Sequence, residues 1–369
     1  VTGSVLVVGG GIAGRAVARV LAKHGVDCTL VERRASGGRG MGVNLPGNAV
    51  RALGALGVPA EMLAGGVPVL RREYRNGRGR LLFAMDDERF WRGVGQPVCL
   101  RHGDLLEALA PPSAVSVRQA RAVSARPTAS GVEVDVEAVP RPLLFDLVIG
   151  ADGVRSAMRA AIAPDRLRSQ SMSSSSWRFI TDNPGVHCWT AWSARDVTFL
   201  LIPVAPGQVY GYAARTRGGH TEPDPSWLTQ AAAPFPDVVG AAVASTGAEL
   251  FHSDVDEVRL EHWHRGRLVL VGDAAHATGP VWAQGVAMAL EDALVLGELL
   301  SLTPQRDWAD VGAVFERIRR PRVEHVRAAT DRMSGLAALP GVVRDAVAPV
   351  LGPRAYRKAY GPLRAALKP

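Results

Sequence analysis

Apolar positions in this chain gather into short continuous runs that end on glycine and are followed by helical spacing. Val5-Leu6-Val7-Val8 reads as a fully buried strand running straight into Gly9-Gly10-Gly11-Ile12-Ala13-Gly14, and the next apolar residues recur with helical period from Ile12 to about His24. A second run, Cys28-Thr29-Leu30-Val31, stops at Glu32. Phe145 to Ile149 and Arg267 to Val271 repeat the device: each strand-like run delivers a glycine, Gly150 or Gly272, with a helix after it. The second of these helices opens at Gly285 and spans roughly Val286 to Leu300. Elsewhere Val132-Glu133-Val134-Asp135-Val136-Glu137 alternates as a half-exposed strand does, while Pro203, Pro206-Gly207 and Asn183-Pro184-Gly185 read as turns. The serine-rich stretch Ser171 to Ser176 reads as a loop, and Pro340-Gly341, Pro349 and Pro353 divide the segment beyond Met333 into short helices.

This order predicts an α/β fold. A Rossmann-like nucleotide-binding domain is expected from residues 1–70, 97–165 and 260–332, with a mainly β substrate domain inserted as 71–96 and 166–259 and a C-terminal helical cap over 333–369. In the glycine loop the first glycine permits a tight turn, the second lets backbone approach a pyrophosphate, and the third lets helix and strand pack closely. Free amides at the helix start and the helix dipole then face phosphate. Glu32 falls 18 residues after Gly14, close to where an acid grips a ribose. A glycine turn that merely packs a helix on a sheet is the alternative reading, and the loop alone does not separate NAD from FAD, which share an ADP moiety. Asp273, where a strand ends and a helix approaches, can accept hydrogen bonds from a polyol such as ribitol, or act as an N-cap.

Three segments now carry a resemblance: the glycine loop Gly9 to Gly14, GADGVRS at Gly150 to Ser156, and GDAAHATGP at Gly272 to Pro280. In that order they resemble the fingerprints of class A, single-component flavin monooxygenases of the para-hydroxybenzoate and salicylate hydroxylase type. The helix FERIRRPRVEHV, Phe315 to Val326, is also similar to the family's. The resemblance implies FAD as cofactor and NADH or NADPH as reductant without a second nucleotide domain. It also implies molecular oxygen as co-substrate, a flavin C4a-hydroperoxide, and insertion of one oxygen atom into an aromatic or polyketide-like small molecule. Residue by residue, it implies that Gly9, Gly11, Ile12, Ala13 and Gly14 form the phosphate loop, that Glu32, with Arg33 after it, serves the ADP ribose, and that Asp152 supports the pyrophosphate side. Asp273 would bind the ribityl chain, Pro280 would line the isoalloxazine, and the backbone at Gly285, Val286 and Ala287 would meet the flavin pyrimidine. Arg39 is a pyrophosphate or flavin-loop contact in the same comparison.

Two departures matter. After Pro280 the family reads close to N-L-G-Q-G-A-N, whereas here the text is Val281-Trp282-Ala283-Gln284-Gly285-Val286-Ala287. The family's flavin-binding arginine also falls at His102, with Arg101 one place earlier. Either Arg101 reaches the flavin by a local shift, or His102 replaces it, or both are surface residues at a helix start.

The catalytic group is not readable. A phenol needs a base or hydrogen-bond acceptor, for which His187, Tyr210, Tyr212 and His220 are candidates, each also an ordinary structural residue. Trp177, Trp189, Trp192 and Phe199 offer apolar walls or sheet packing, and Arg178 could meet an acidic substrate or solvent. The net charge of +8 raises nucleic acid as a partner, but the basic residues are scattered without aromatic interleaving, which argues against it. His252, His262 and His264 lack matched carboxylates or cysteines, so no metal is expected. Cys28, Cys99 and Cys188 show no disulfide or metal spacing. No apolar run is long enough to cross a membrane, and no signal-like segment precedes the first strand, so a cytoplasmic location without membrane insertion is expected. The arginine-rich, high-GC composition and the altered loop after Pro280 suggest specialised metabolism, such as antibiotic biosynthesis. Baeyer–Villiger oxidation, epoxidation, or a flavoprotein dehydrogenase or oxidase would use the same motifs. A halogenase is disfavoured, since Trp189-Thr190-Ala191-Trp192 has the wrong spacing for its signature and no lysine is well placed.

Overall fold

The protein is described here from a computed structural model covering residues 4–33, 41–163, 170–194, 196–215, 224–247, 250–337 and 339–367. Arg39 and His220 lie outside the described residues.

The apolar runs assemble a six-stranded sheet. Its order is His264–Arg265, Leu268–Leu270, Leu147–Gly150, Val5–Val8, Cys28–Glu32, Ser116–Gln119, parallel throughout except at the first, antiparallel strand. Its inner strands are buried on both faces, which is why they read as continuous apolar runs. The helix Ile12–Lys23 packs against the long helix Gly285–Leu302, where a Cβ on Gly297 would fall 2.5 Å from the Val20 side chain. The run around Asp146 is two strands, Leu143–Phe145 and Leu147–Gly150; the first belongs to a separate three-stranded sheet with Val132–Val136 and Ala122–Pro127. The segment after Gly150 forms only a short 3-10 turn, Met158–Ala161.

A seven-stranded sheet stands beside this body in the order Phe251–Glu257, Gln170–Asp182, Gln208–Arg215, Val197–Ala205, Trp189–Ala194, Arg71–Asn76, Leu81–Asp86. Side-chain alternation gives it two distinct faces. Trp177, Phe179, Trp192 and Phe199 point to one face, where the helices Pro225–Ala232 and Asp237–Ala244 cover them. Trp189, Ala191, Ile202 and Tyr210 point to the other, with Ile180, Leu200 and Tyr212.

Three local expectations are corrected. Ser171 to Ser176 is no loop: it belongs to the strand Gln170–Asp182, whose pairing with Phe251–Glu257 is broken by two register shifts that absorb the weak strand propensity of serine. Pro203 does not mark a turn but lies inside Val197–Ala205, beside a register shift against Gln208–Arg215. Pro349 and Pro353 do not separate short helices, because one helix, Gly341–Tyr360, runs through both. Tertiary packing holds it: Gly352 lies so close to Phe83 that a Cβ there would fall 2.2 Å from the ring, and Tyr356 and Tyr360 are buried. Pro321 is likewise interior to the helix Val311–Ala337.

Candidate active site

Register decides where the motifs meet. Val31, Val8, Gly150 and Leu270 lie side by side on four neighbouring parallel strands. The residues after them, Glu32, Gly9, Asp152 and Asp273, therefore leave one sheet edge together, at the carboxyl ends where open α/β sheets bind ligands.

The glycine loop is closed by contacts that only hydrogen side chains allow. Gly9 takes a left-handed φ of 106°, and a Cβ there would meet the Ala151 carbonyl at 2.4 Å. A Cβ on Gly14 would fall 1.8 Å from the Gly9 carbonyl, whereas one on Gly11 would meet nothing within 4 Å. The open side at Gly11, with no side chain capping the helix behind it, leaves Ile12 and Ala13 beside an uncapped helix start and fits an approaching phosphate. Glu32 Oε2 accepts the Gly10 amide at 2.6 Å, which fixes the carboxylate at the mouth of the loop. Arg33 beside it is exposed. Arg15, which the sequence reading missed, donates to the Gly10 carbonyl at 2.9 Å and to Leu106 at 2.8 Å.

Asp152 organises its own loop: Oδ2 accepts the amides of Ala157 at 2.6 Å and Met158 at 3.1 Å. Asp273 is not an N-cap but the first residue of the short helix Asp273–His276, after Gly272 at φ 57°. It keeps solvent access. The protein crowded around it raises its carboxyl above the usual range by desolvation, against the pull of His276, Arg159 and Arg178. A Cβ on Gly285 would lie 3.8 Å from Asp273 Oδ1, so the aspartate faces the start of the helix Gly285–Leu302.

Two buried staples hold these loops, and neither was legible. Arg159 donates to Ala274 and Val154 carbonyls at 2.9 Å each and to Gly153 and Asp273 carbonyls at 3.3 Å, tying the second fingerprint to the third. Asp292, on the helix Gly285–Leu302, accepts the Gly272 amide at 2.8 Å, His276 Nε2 at 2.7 Å and Arg319 Nε at 2.8 Å. Burial alone would raise the Asp292 pKa, but His276 and Arg319 outweigh it and hold the carboxyl below the usual range.

The loop after Gly279 is a 3-10 turn, Pro280–Trp282, followed by Ala283 in the left-handed region. Pro280 and Val281 face solvent while Trp282 is buried. Gln284 is locked to Asn48, whose amide donates at 3.0 Å, leaving Gly285, Val286 and Ala287 as the opening turn of the following helix.

Residues 2–330 match the family described as FAD binding domain. The chain belongs to that family. It is an FAD-dependent monooxygenase of the single-component class, for which NAD(P)H is the typical reductant. The chain is 32% identical to 2-heptyl-3-hydroxy-4(1H)-quinolone synthase of Pseudomonas aeruginosa, over 88% of this chain and 87% of that one. It is 32% identical to 3-amino-4-hydroxybenzoate 2-monooxygenase of Streptomyces cremeus, over 91% and 88%. Its fold is similar to Klebsiella pneumoniae HpxO solved with FAD and uric acid, at TM-score 0.80 and 22% identity over 98% of this chain and 92% of that one.

In this monooxygenase Arg101 is exposed at the end of the strand Val98–Arg101 and donates to Gln208 on the seven-stranded sheet, while His102 starts the next helix with its amide on the Met41 carbonyl at 2.8 Å. Of the catalytic candidates, His187 is exposed on the loop between Gln170–Asp182 and Trp189–Ala194. Tyr210 and Tyr212 come together on the second sheet face, which turns towards the nucleotide-binding body, with Tyr210 against Gly42 of that body. Burial pushes both phenols up, Tyr212 to about 12, so both stay neutral donors; Arg178 partly offsets this at each. Arg178 projects beside them, its guanidinium 5.8 Å from the Tyr212 ring centroid and Nη1 3.0 Å from Ser253 Oγ. Of the four apolar candidates only Trp189 shares this face, because Trp177, Trp192 and Phe199 lie on the helix-covered side.

The histidines do acquire a carboxylate. Glu316 lies 3.7 Å from His262 Nδ1 and from His264 Nε2. Both its oxygens are already engaged, Oε2 by the Trp263 amide at 2.8 Å and Oε1 by the Arg320 guanidinium at 3.1 Å, so the cluster reads as an ion-pair network. His252 packs on Trp177, with ring centroids 4.6 Å apart. Among the described residues no helix is long and apolar enough to cross a membrane.

Proposed function

We propose that this enzyme inserts one oxygen atom from molecular oxygen into an electron-rich aromatic small molecule carrying an ionisable ring hydroxyl or enol, in specialised metabolism and in the cytoplasm. The observation that carries the reading is the face of the seven-stranded sheet turned towards the nucleotide-binding body, where one cation and two neutral phenols stand among apolar side chains. Arg178 would hold an oxyanion on the substrate, Tyr210 and Tyr212 would donate to it, and Ile180, Leu200, Ile202 and Trp189 would keep water off the ring. An ionised ring oxygen raises the ring's electron density, which is what attack on an electrophilic oxygen requires. Arg178 also acts electrostatically on Asp273, which supports placing the substrate beside the flavin.

FAD fits the residues present. The cradle open at Gly11, Glu32 at its mouth, the acceptor Asp273 and the Gly285 helix start would hold phosphate, ribose, ribityl and pyrimidine in that order. When bound, FAD supplies the redox and oxygen chemistry. We assign the sheet built from 71–86 and 170–257 to substrate, and Gly9, Gly11, Ile12, Ala13, Gly14, Glu32, Asp152, Asp273, Pro280, Gly285, Val286 and Ala287 to the cofactor. The 4-quinolone and aminohydroxybenzoate named for the two relatives are flat aromatics of the proposed kind.

The test is anaerobic reduction of the purified yellow protein by NADH or NADPH, with and without phenols, 4-quinolones and aminohydroxybenzoates, then admission of oxygen and mass analysis. A product heavier by one oxygen is expected. A bound flavin that no nicotinamide reduces with any of these compounds would defeat the reading. Replacing Arg178 with glutamine should raise KM for an ionisable substrate about 30-fold, the worth of one charge-assisted hydrogen bond, while FAD affinity stays within about twofold. An unchanged KM would remove Arg178 from the substrate site.

A further inference from the structure

The loop Pro280–Ala283 is tied to the far end of the chain through four buried polar side chains. Tyr360, fully buried near the end of the helix Gly341–Tyr360, donates its hydroxyl to the Trp282 carbonyl at 2.6 Å. The same hydroxyl accepts from Arg72 Nη1 at 3.3 Å. Arg72 is ion-paired with Asp87 at 2.6 Å, and Asp87 accepts the Tyr356 hydroxyl at 2.6 Å. Arg72 is 1% exposed and Asp87 0%, so the cluster is sealed from water. Burial raises the Tyr360 pKa against the opposing charge of Arg72, which keeps its hydroxyl protonated and able to donate.

The residue after the clamped carbonyl is Ala283, at φ 51° and ψ 36°. An L side chain there is strained, and the resemblance places a glycine at this position. Rotating the Trp282–Ala283 peptide out of this conformation would swing the Trp282 carbonyl away from Tyr360. The hydrogen bond and the left-handed alanine are thus two consequences of one peptide orientation.

We propose that Tyr360 is a positioning residue for the cofactor: by gripping the Trp282 carbonyl it holds Ala283 in its strained conformation and so presents the Gly285 helix start to the flavin. Sheet strand, C-terminal helix and flavin loop are joined through this one hydroxyl. The inference rests on the reading that Gly285, Val286 and Ala287 face the flavin.

The test titrates FAD into four full-length apoproteins, wild type, Tyr360→Phe, Ala283→Gly and the double variant, by flavin fluorescence, with thermal unfolding of each apoprotein alongside. Tyr360→Phe should weaken FAD binding about tenfold, as expected for one lost hydrogen bond, and alter the vibronic shoulder of the bound flavin's visible band. Ala283→Gly alone should stay within about twofold of wild type. In the double variant glycine accepts the left-handed conformation without the clamp, so affinity should return to within about threefold of wild type. A Tyr360→Phe protein that only melts earlier, with unchanged FAD affinity, overturns the inference. So does a double variant no tighter than Tyr360→Phe, which would mean that hydroxyl and strain are uncoupled. Wild-type apoprotein that takes up no FAD would instead overturn the flavin reading itself.

Discussion

Replacing Asp273 with asparagine should weaken FAD binding about tenfold and at the same time raise the melting temperature of the apoprotein. The two effects share one cause. In the fold this carboxyl is raised above its ordinary value by the protein around it. A group with a raised folded pKa disfavours the fold once it ionises, so relative stability is present below the unfolded value and lost as pH rises through the folded one. Above the unfolded value the fold therefore opposes the ionised carboxyl, and an amide relieves it. The same charge is what a ribityl hydroxyl would use, and alanine, which removes the acceptor altogether, should lower affinity about 50-fold. Isothermal titration of FAD and calorimetry of the apoprotein read the two quantities separately. If both fall together in the asparagine variant, Asp273 is a structural residue and its cofactor role is lost.

Asp292→Ala should be the most destabilising single change at the site. It takes from the fully buried Arg319 one of its two carboxylate partners, leaving Glu291 at 3.1 Å, and removes the acceptor for His276 and for the Gly272 amide. Breaking one side of a buried pair costs about 3–5 kcal/mol. Flavin release should follow, because the Gly272 amide is adjacent to Asp273. The pH dependence has the opposite sign to that of Asp273. Asp292 has a folded pKa held down, so its contribution is present above the unfolded carboxylate value of about 4 and lost as pH falls through the folded one. Urea denaturation of wild type and variant should differ by a constant amount from neutral pH down to about 5, and the gap should narrow in more acid solution. A gap that widens on acidification would contradict the assignment.

The cofactor side was legible in the chain because its information is local and backbone-driven. A glycine at a strand end, a fixed number of residues before a helix, is required by close approach of main chain to main chain, as at Gly9 and Gly14, and such spacing survives in one dimension. Arg159, Asp292 and Arg319 carried no such signal. Their partners lie from a few to more than a hundred residues away, and no fixed spacing joins a side chain to such partners. The serine stretch and the tail prolines misled for a related reason. Local preference opposed the strand at Ser171 to Ser176 and the helix through Pro349 and Pro353, and tertiary pairing overrode it in both. On the substrate side, period-two alternation could have sorted Trp189 from Trp177, Trp192 and Phe199, but only once it was known which face the helices cover.

The four strand ends that meet at one sheet edge are contributed by residues as far apart as Val8 and Leu270, and their loops are locked by Asp292 and Arg319 beyond them. During synthesis, the amino-terminal half therefore emerges from the ribosome before the strands and helix that pack around its nucleotide loop have been made. Cofactor capture must wait until Arg319 has cleared the exit tunnel, so no nascent fragment shorter than that should turn yellow.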